Sequence, residues 1–399
     1  MVRRVIGNTQ PRCAAVRFLG ILAIALLGAV LPGTALGQSP APIGSEEDVP
    51  IALLVDVTSD QVLFAREADR RFVPASITKV MTLFHAFELI EEGNLDPRQQ
   101  FQMAPETWEE WYRKGSTMFI GAEDRVLVDD LLMGIANVSA NDGSIALAEG
   151  QAGSVENWLD GMNSRARALG MTNSHFGTPN GWPDEGRTFT NAFDLVKLAK
   201  AIARRHPEKY ARYVGRNGFR YNNIAQNNRD PMIGRVKGAD GMKTGYTNES
   251  GLGYLGSAKR GDQRLVVVVA GTNRQDIRAA AARGLIEWGF AAFDRVQVAR
   301  KGQWVGSARV QNGDARSVSL ETVQPVFVNV PVGSERDVKL SIAYDGPLRA
   351  PIAAGSRVAT LVVEVPGGEP ARIPLVAQDA VGEAGFFTRI WNGIAGWFS

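Results

Sequence analysis

The sequence predicts an α+β fold followed by a small all-β domain, and three observations carry that prediction. Two strand-like pairs lie far apart in the chain, 51–57 with 62–65 and 252–258 with 264–270, each closed by a turn. Between them the apolar residues recur with helical rather than alternating spacing. After Asp294 the helical period disappears, and short β-prone runs alternate with Gly and Pro turns. A sheet closed by strands distant in sequence, with helices between them, is the pattern of an α+β unit of about 250 residues.

Taken in order, the chain opens with Arg3, Arg4, Arg12 and Arg17, then an unbroken apolar run from Phe18 to Leu31. Pro32 and Gly33 break the run, and Ala35-Leu36-Gly37 offers the small residues a signal peptidase reads, so residues 1–37 are expected to be a secretory leader. As a helix the run would measure about 21 Å against a hydrocarbon core of about 30 Å, which disfavours a retained anchor. Thr58-Ser59-Asp60 is the turn of the first strand pair, and Lys259-Arg260-Gly261-Asp262 that of the second. Pro74 precedes a helix to about Glu92 with Val80, Leu83, Phe84, Phe87 and Ile90 on one face. Residues 128–205 read as mostly helical, and a last helix is expected over 277–293. The first domain is thus placed at 44–293 and the β domain at 294–380, with runs at 326–330, 338–343, 358–365 and 372–376.

The tail is distinctive. On a helical projection Phe386, Phe387, Ile390, Trp391, Ile394, Trp397 and Phe398 fall within an arc of about 140°, opposite Thr388, Arg389, Asn392 and Ser399. Residues 383–399 therefore read as an amphipathic helix too short to span a bilayer, expected to lie on a membrane surface through 386–398.

Composition removes several functions. The chain has 399 residues, 45% hydrophobic and 22% charged, with formal net charge +2, ordinary values for a folded globular protein. Losing the four leader arginines from 44 basic side chains leaves 40 against 42 acidic, so nothing favours nucleic acid as a partner. One cysteine, Cys13, excludes an internal disulfide framework and a thiolate metal cluster. His85, His175 and His206 do not form H-E-x-x-H, so no metal is expected. His85 reads as a packed helix residue and the other two as loop residues; Trp108 and Trp111 could line a cleft but read more simply as packing.

Chemistry concentrates in three short stretches. Pro74-Ala75-Ser76-Ile77-Thr78-Lys79 puts a hydroxyl and an amine one helical turn apart. A lysine of ordinary pKa, about 10.4, is no base near neutrality, but burial or a second cation can make it one, and it then activates the serine. Alone, S-x-x-K is a weak signal that chance supplies about once in such a chain. Ser139-Ala140-Asn141 adds a hydroxyl and an amide after an apolar helix. Lys243-Thr244-Gly245 adds a second cation, a hydroxyl and a glycine that lets a substrate backbone approach. S-x-x-K, S-x-N and K-T-G in this order and spacing form the signature of penicillin-recognising serine acyltransferases.

On these motifs the chain resembles the low-molecular-mass penicillin-binding proteins that are D-alanyl-D-alanine carboxypeptidases. The resemblance extends over 74–82, 138–149, 238–245 and 288–290 into the β domain around 351–376 and the tail. It implies a β-lactamase/transpeptidase-like catalytic domain with a central antiparallel sheet and a helical subdomain. It implies an exported, periplasmic enzyme, peripherally bound to the outer face of the cytoplasmic membrane, that removes the last D-Ala from peptidoglycan stem peptides ending in D-Ala-D-Ala and is acylated and inhibited by β-lactams. No metal or organic cofactor is implied. By resemblance Ser76 is the nucleophile, Lys79 its general base, and Ser139 and Asn141 relay the proton and hold the substrate amide. Lys243 and Thr244 orient the terminal carboxylate, Gly245 belongs to the substrate-binding stretch beside them, and the backbone N–H groups of Ser76 and Tyr246 form the oxyanion hole. Arg278 and Arg229 are candidate carboxylate forks. Tyr246 stands where a polar residue or His is expected, which bears on substrate preference.

Alternatives within the same chemistry are a DD-endopeptidase and a weak class A-like β-lactamase; outside it, a non-catalytic wall-binding protein. A class A enzyme needs a Glu about 35 residues after S-x-N, and none stands between Asn157 and Asp184. No G-x-S-x-G elbow is present for a Ser-His-Asp hydrolase.

Overall fold

In the computed structural model the chain is described over residues 40–334, 337–366 and 370–385; the expected leader and the amphipathic tail helix over 386–398 lie outside the described residues. The chain divides into one unit of Ala41–Ala291 and a second that begins at Ala292.

The first unit is built on a five-stranded antiparallel sheet. Its order is Gln61–Arg66, Ile51–Asp56, Gln263–Thr272, Gly251–Arg260 and Ala239–Thr247, so the strand bearing Lys243 is an edge strand. Successive side chains of a strand point to opposite faces, and here both faces are covered. Leu53, Val55, Val266 and Val268 pack with the helical subdomain. Ala52, Leu54, Val267 and Val269 pack against Ala281, Ala282, Leu285 and Ile286 of the Gln275–Ala291 helix. Double burial explains why Leu265–Ala270 is continuously apolar.

The helical subdomain differs from the sequence reading in three places. The helix after Pro74 begins as a 3-10 turn, Ala75–Thr78, because Ala75 takes φ 50°, outside the α region; the α-helix proper is Lys79–Glu91. That helix is buried from Lys79 to Phe87 with no exposed face among those residues, which makes it a central helix rather than a surface one. The region 128–205 holds helices Val128–Asn137, Asn141–Ala152, Val155–Ala168 and Ala192–Arg205, but 169–191 is irregular and passes beneath the Lys79 helix. His206 is no loop residue: it is buried between the Ala192–Arg205 and Pro207–Tyr213 helices, 2.7 Å from Glu88 Oε1. His85 accepts from Arg165 Nε at 2.8 Å, and burial depresses its pKa to about 4. His175 pairs with Phe189 through backbone bonds.

The last helix of this unit ends at Ala291, and Phe293 starts a strand of the second unit, two residues short of the expected helix end. That unit is all β. Phe293–Ala299 pairs with Val326–Pro331, and a six-stranded sheet runs in the order Lys339–Ala343, Arg357–Glu364, Ala371–Ala377, Ser317–Glu321, Trp304–Gln311 and Leu348–Arg349. Its core is Leu320, Val328, Val330, Leu361, Val363 and Leu375.

Candidate active site

Ser76 lies in the 3-10 turn and Lys79 opens the buried helix, so one turn of backbone fixes their separation: Lys79 Nζ is 2.9 Å from Ser76 Oγ. Lys79 is fully buried. Its Nζ also donates to Asn141 Oδ1 at 2.8 Å and to the Asn180 carbonyl at 2.6 Å. The Asn141 amide is oriented by its own donation from Nδ2 to the Lys114 carbonyl, 3.0 Å, so its oxygen faces the lysine. Burial is the largest influence on Lys79, the charge of Lys243 the next, and both drive its pKa well below the usual lysine value; Asp142 opposes them. A neutral amine has two N–H donors and one lone pair. Two of its three neighbours can only accept, so a deprotonated Lys79 would give both donors to them and turn its lone pair to the Ser76 hydroxyl.

Ser139 sits between the Val128–Asn137 and Asn141–Ala152 helices with φ 63°, a left-handed conformation rare for a residue with a Cβ. Asp142, next to Asn141, is buried and accepts from the N–H groups of Met118, Ile120 and Gly143, which ties the 116–120 segment to the helix start.

Lys243, Thr244, Gly245 and Tyr246 follow one another on the edge strand, opposite Leu255, Tyr254, Gly253 and Leu252. Gly245 has a role the sequence did not reveal. A Cβ there would lie 2.5 Å from the Pro74 carbonyl, so its absence lets the strand close on the turn that holds Ser76. Lys243 is 5% exposed, and its pKa falls to about 7, first through burial and then through Arg229, with Arg278 adding and Asp230 opposing. Arg278 reaches in from the Gln275–Ala291 helix; it is buried, and its Nε has no hydrogen-bond partner among the described residues. Arg229 donates to Ser116 Oγ at 3.2 Å.

Ser76, Ser139, Asn141, Arg229, Lys243, Thr244, Gly245, Tyr246 and Arg278 line one cavity of about 1210 Å³, with Lys79 beneath its floor. A second cavity, about 580 Å³ between Lys200, Arg204, Tyr210 and Arg264, contains no serine or cysteine. Trp111 packs edge-on against Trp182, which lines the first cavity; Trp108 donates to the Ile120 carbonyl and is packing. Among the described residues no cluster of His, Cys, Asp and Glu could hold a metal ion.

The profile of the family described as D-alanyl-D-alanine carboxypeptidase matches residues 39–274. The chain belongs to the D-alanyl-D-alanine carboxypeptidase family. A second profile, the C-terminal domain of penicillin-binding protein 5, matches 293–383, so both units lie within a carboxypeptidase of the low-molecular-mass penicillin-binding type. D-alanyl-D-alanine carboxypeptidase DacA of Haemophilus influenzae is 32% identical, covering 89% of this chain and 90% of that protein. DacC of Escherichia coli is 34% identical, covering 85% and 86%. The crystal structure of penicillin-binding protein 5 from Haemophilus influenzae superposes with TM-score 0.77 at 31% identity, covering 87% of this chain and all of that one. The protein is thus a serine peptidase of the carboxypeptidase family.

Three participants escaped the sequence reading: the Asn180 carbonyl, the Lys114 carbonyl, and Gly181. The first two act through backbone atoms, which carry no residue-type signal. Pro179-Asn180-Gly181 reads as a turn and nothing more. Yet Gly181 has φ 72°, and a Cβ on it would fall 1.8 Å from the Ala75 carbonyl. Gly181→Ala is expected to push the Asn180 carbonyl away from Lys79 and to slow acylation by a labelled penicillin at least tenfold in a protein that still folds, read by gel fluorescence alongside circular dichroism; unchanged labelling would show that the Asn180 contact is dispensable.

Proposed function

We propose that the cleft performs D-Ala-D-Ala carboxypeptidase chemistry through an acyl-enzyme on Ser76. The observation that carries this is the 2.9 Å contact of buried Lys79 Nζ with Ser76 Oγ; on this reading Lys79 is deprotonated, gives its two N–H groups to the Asn141 and Asn180 oxygens, and turns its lone pair to the serine hydroxyl. In the first half-reaction Ser76 Oγ attacks the carbonyl of the penultimate D-Ala while its proton passes to Lys79 Nζ. The backbone N–H groups of Ser76 and Tyr246 hold the oxyanion. Collapse breaks the C–N bond, and the leaving D-Ala nitrogen takes the proton back from Lys79 by way of Ser139. In the second half, water attacks the ester with Lys79 again accepting a proton, and Ser76 is released. Asn141 holds the substrate amide. The terminal carboxylate is received by Lys243, Thr244 and Arg278, with Arg229 at the margin. The edge position of Ala239–Thr247 supports this reading, because an edge strand leaves alternate backbone N–H and C=O groups free for an extended peptide.

The same site accepts β-lactams and holds them. The acid nearest in sequence to the Asn180 segment, Asp184, is committed to Thr188 through N and Oγ1, at 3.0 and 2.6 Å, and no Glu stands in that segment to activate a hydrolytic water. This favours an inhibited enzyme over a lactamase. Residues 1–37 as a leader place the enzyme outside the cytoplasm, and the amphipathic stretch 386–398 supports attachment to the membrane surface.

Purified protein given a diacyl-Lys-D-Ala-D-Ala peptide should release free D-Ala, and Ser76→Ala should release none. Lys79→Arg keeps a charge but supplies no neutral base, and should lower turnover by roughly 10²–10⁴-fold; normal turnover in that variant would overturn the mechanism. Acidity should inactivate by protonating Lys79. Alkalinity should weaken carboxylate binding as free-enzyme Lys243 loses its proton above about 7, so kcat/KM is bell-shaped. Lys243→Arg, charged throughout, should flatten the alkaline limb; an unaltered limb would assign it to another group. Removal of residues 382–399 should release the protein from sedimenting membranes, and continued sedimentation would refute the attachment.

A further inference from the structure

The charges lining the cleft are unevenly placed. Arg229, Lys243 and Arg278 gather where the carboxylate is received. Among the described residues the cavity has a single acidic lining residue, Glu249, on the turn that leaves the Lys243 strand. Glu249 is exposed and has neither a hydrogen bond nor an ion pair with any described residue.

We infer that Tyr246 and Glu249 form a subsite for a cationic side chain of the peptide, an ammonium on the residue preceding D-Ala-D-Ala. The inference rests on the carboxypeptidase reading above and names the substrates that this cleft prefers. Its first support is the rigidity of the turn. Thr247 Oγ1 and Ser250 Oγ are 2.7 Å apart, and the Ser250 N–H donates to Thr247 Oγ1 at 3.1 Å. Gly251 follows at φ 70°, which lets the chain reverse directly into the next strand. The second support is Tyr246 itself, 59% exposed on the cavity wall with its hydroxyl tied to Asn248 Oδ1 at 2.7 Å. An anchored aromatic ring three residues from an unpaired carboxylate offers an ammonium both a cation–π face and a counter-charge.

Dimensions agree with this pairing. From Lys243 to Thr247 the strand advances about 13 Å at roughly 3.3 Å per residue. An extended peptide lying along this edge with its carboxylate at Lys243 places the residue two positions upstream about 7 Å along the strand, level with Gly245 and beside Tyr246, and a lysine-length side chain reaches about 6 Å outward from there.

The test compares three peptides that differ only before D-Ala-D-Ala: α-acetyl-lysine with a free ε-amine, α,ε-diacetyl-lysine, and α-acetyl-norleucine, each assayed for D-Ala release. Wild-type kcat/KM should be about fivefold higher for the free amine than for either neutral peptide, the size expected of an exposed pair assisted by a ring, and the advantage should shrink with added salt. Glu249→Gln should bring the ratio near one, Glu249→Lys should invert it, and Tyr246→Leu should reduce it. A wild-type ratio of one, or a ratio retained in Glu249→Gln, would overturn the subsite while leaving the carboxypeptidase reading intact. Failure to release D-Ala from all three peptides would overturn that reading, and the subsite with it.

Discussion

The candidate site is organised around one amine, Lys79 Nζ, taken out of water. Lys79 is fully buried, and the charge of Lys243 adds to burial in lowering its pKa. Burying an ammonium without a carboxylate partner is unfavourable enough that deprotonation is the cheaper outcome. Everything around Lys79 serves that state. Two fixed acceptors occupy its N–H groups, the serine is held a turn away, and Asp142, which would favour the ammonium, is spent on three backbone N–H groups. Arg229 and Arg278 lower the pKa of Lys243 in the same way, so burial and a neighbouring cation hold both lysines of the cleft below their usual range.

Convergence of the three stretches follows from the sheet. The Ser76 turn packs on the edge strand because Gly245 allows it, and Gly181 presses on the same turn from below. Ser139 and Asn141 arrive from a helix junction whose left-handed residue turns the chain into the cleft. Strain at Ala75 and Ser139 is concentrated where the chemistry is, as expected where surrounding packing rather than local preference sets the backbone.

Much of this was legible in the residues. The apolar strands at 51–57, 252–258 and 264–270 follow from composition and turn signals, since buried strands bounded by Gly and Asp leave few alternatives. Ser76, Lys79, Ser139, Asn141 and Lys243 were found by type and spacing, and they stand around one cavity. Less legible was what depends on tertiary contact. The central burial of the Lys79 helix is hidden because its sequence can be read as one-sided, and strands such as Trp304–Gln311 and Ser317–Glu321 are masked by outward Ser and Arg at alternate positions. The Asn180 and Lys114 carbonyls could not be found from sequence, since every residue has a carbonyl.

Holding Ser76 and Lys79 three residues apart, across one turn of backbone, has one further effect. Relative sliding of helices or strands does not alter that spacing, because both residues belong to one continuous turn of backbone. On the proposed mechanism the serine–lysine contact is thus a fixed part of the fold, and what varies is the access of a peptide end along the open side of the edge strand.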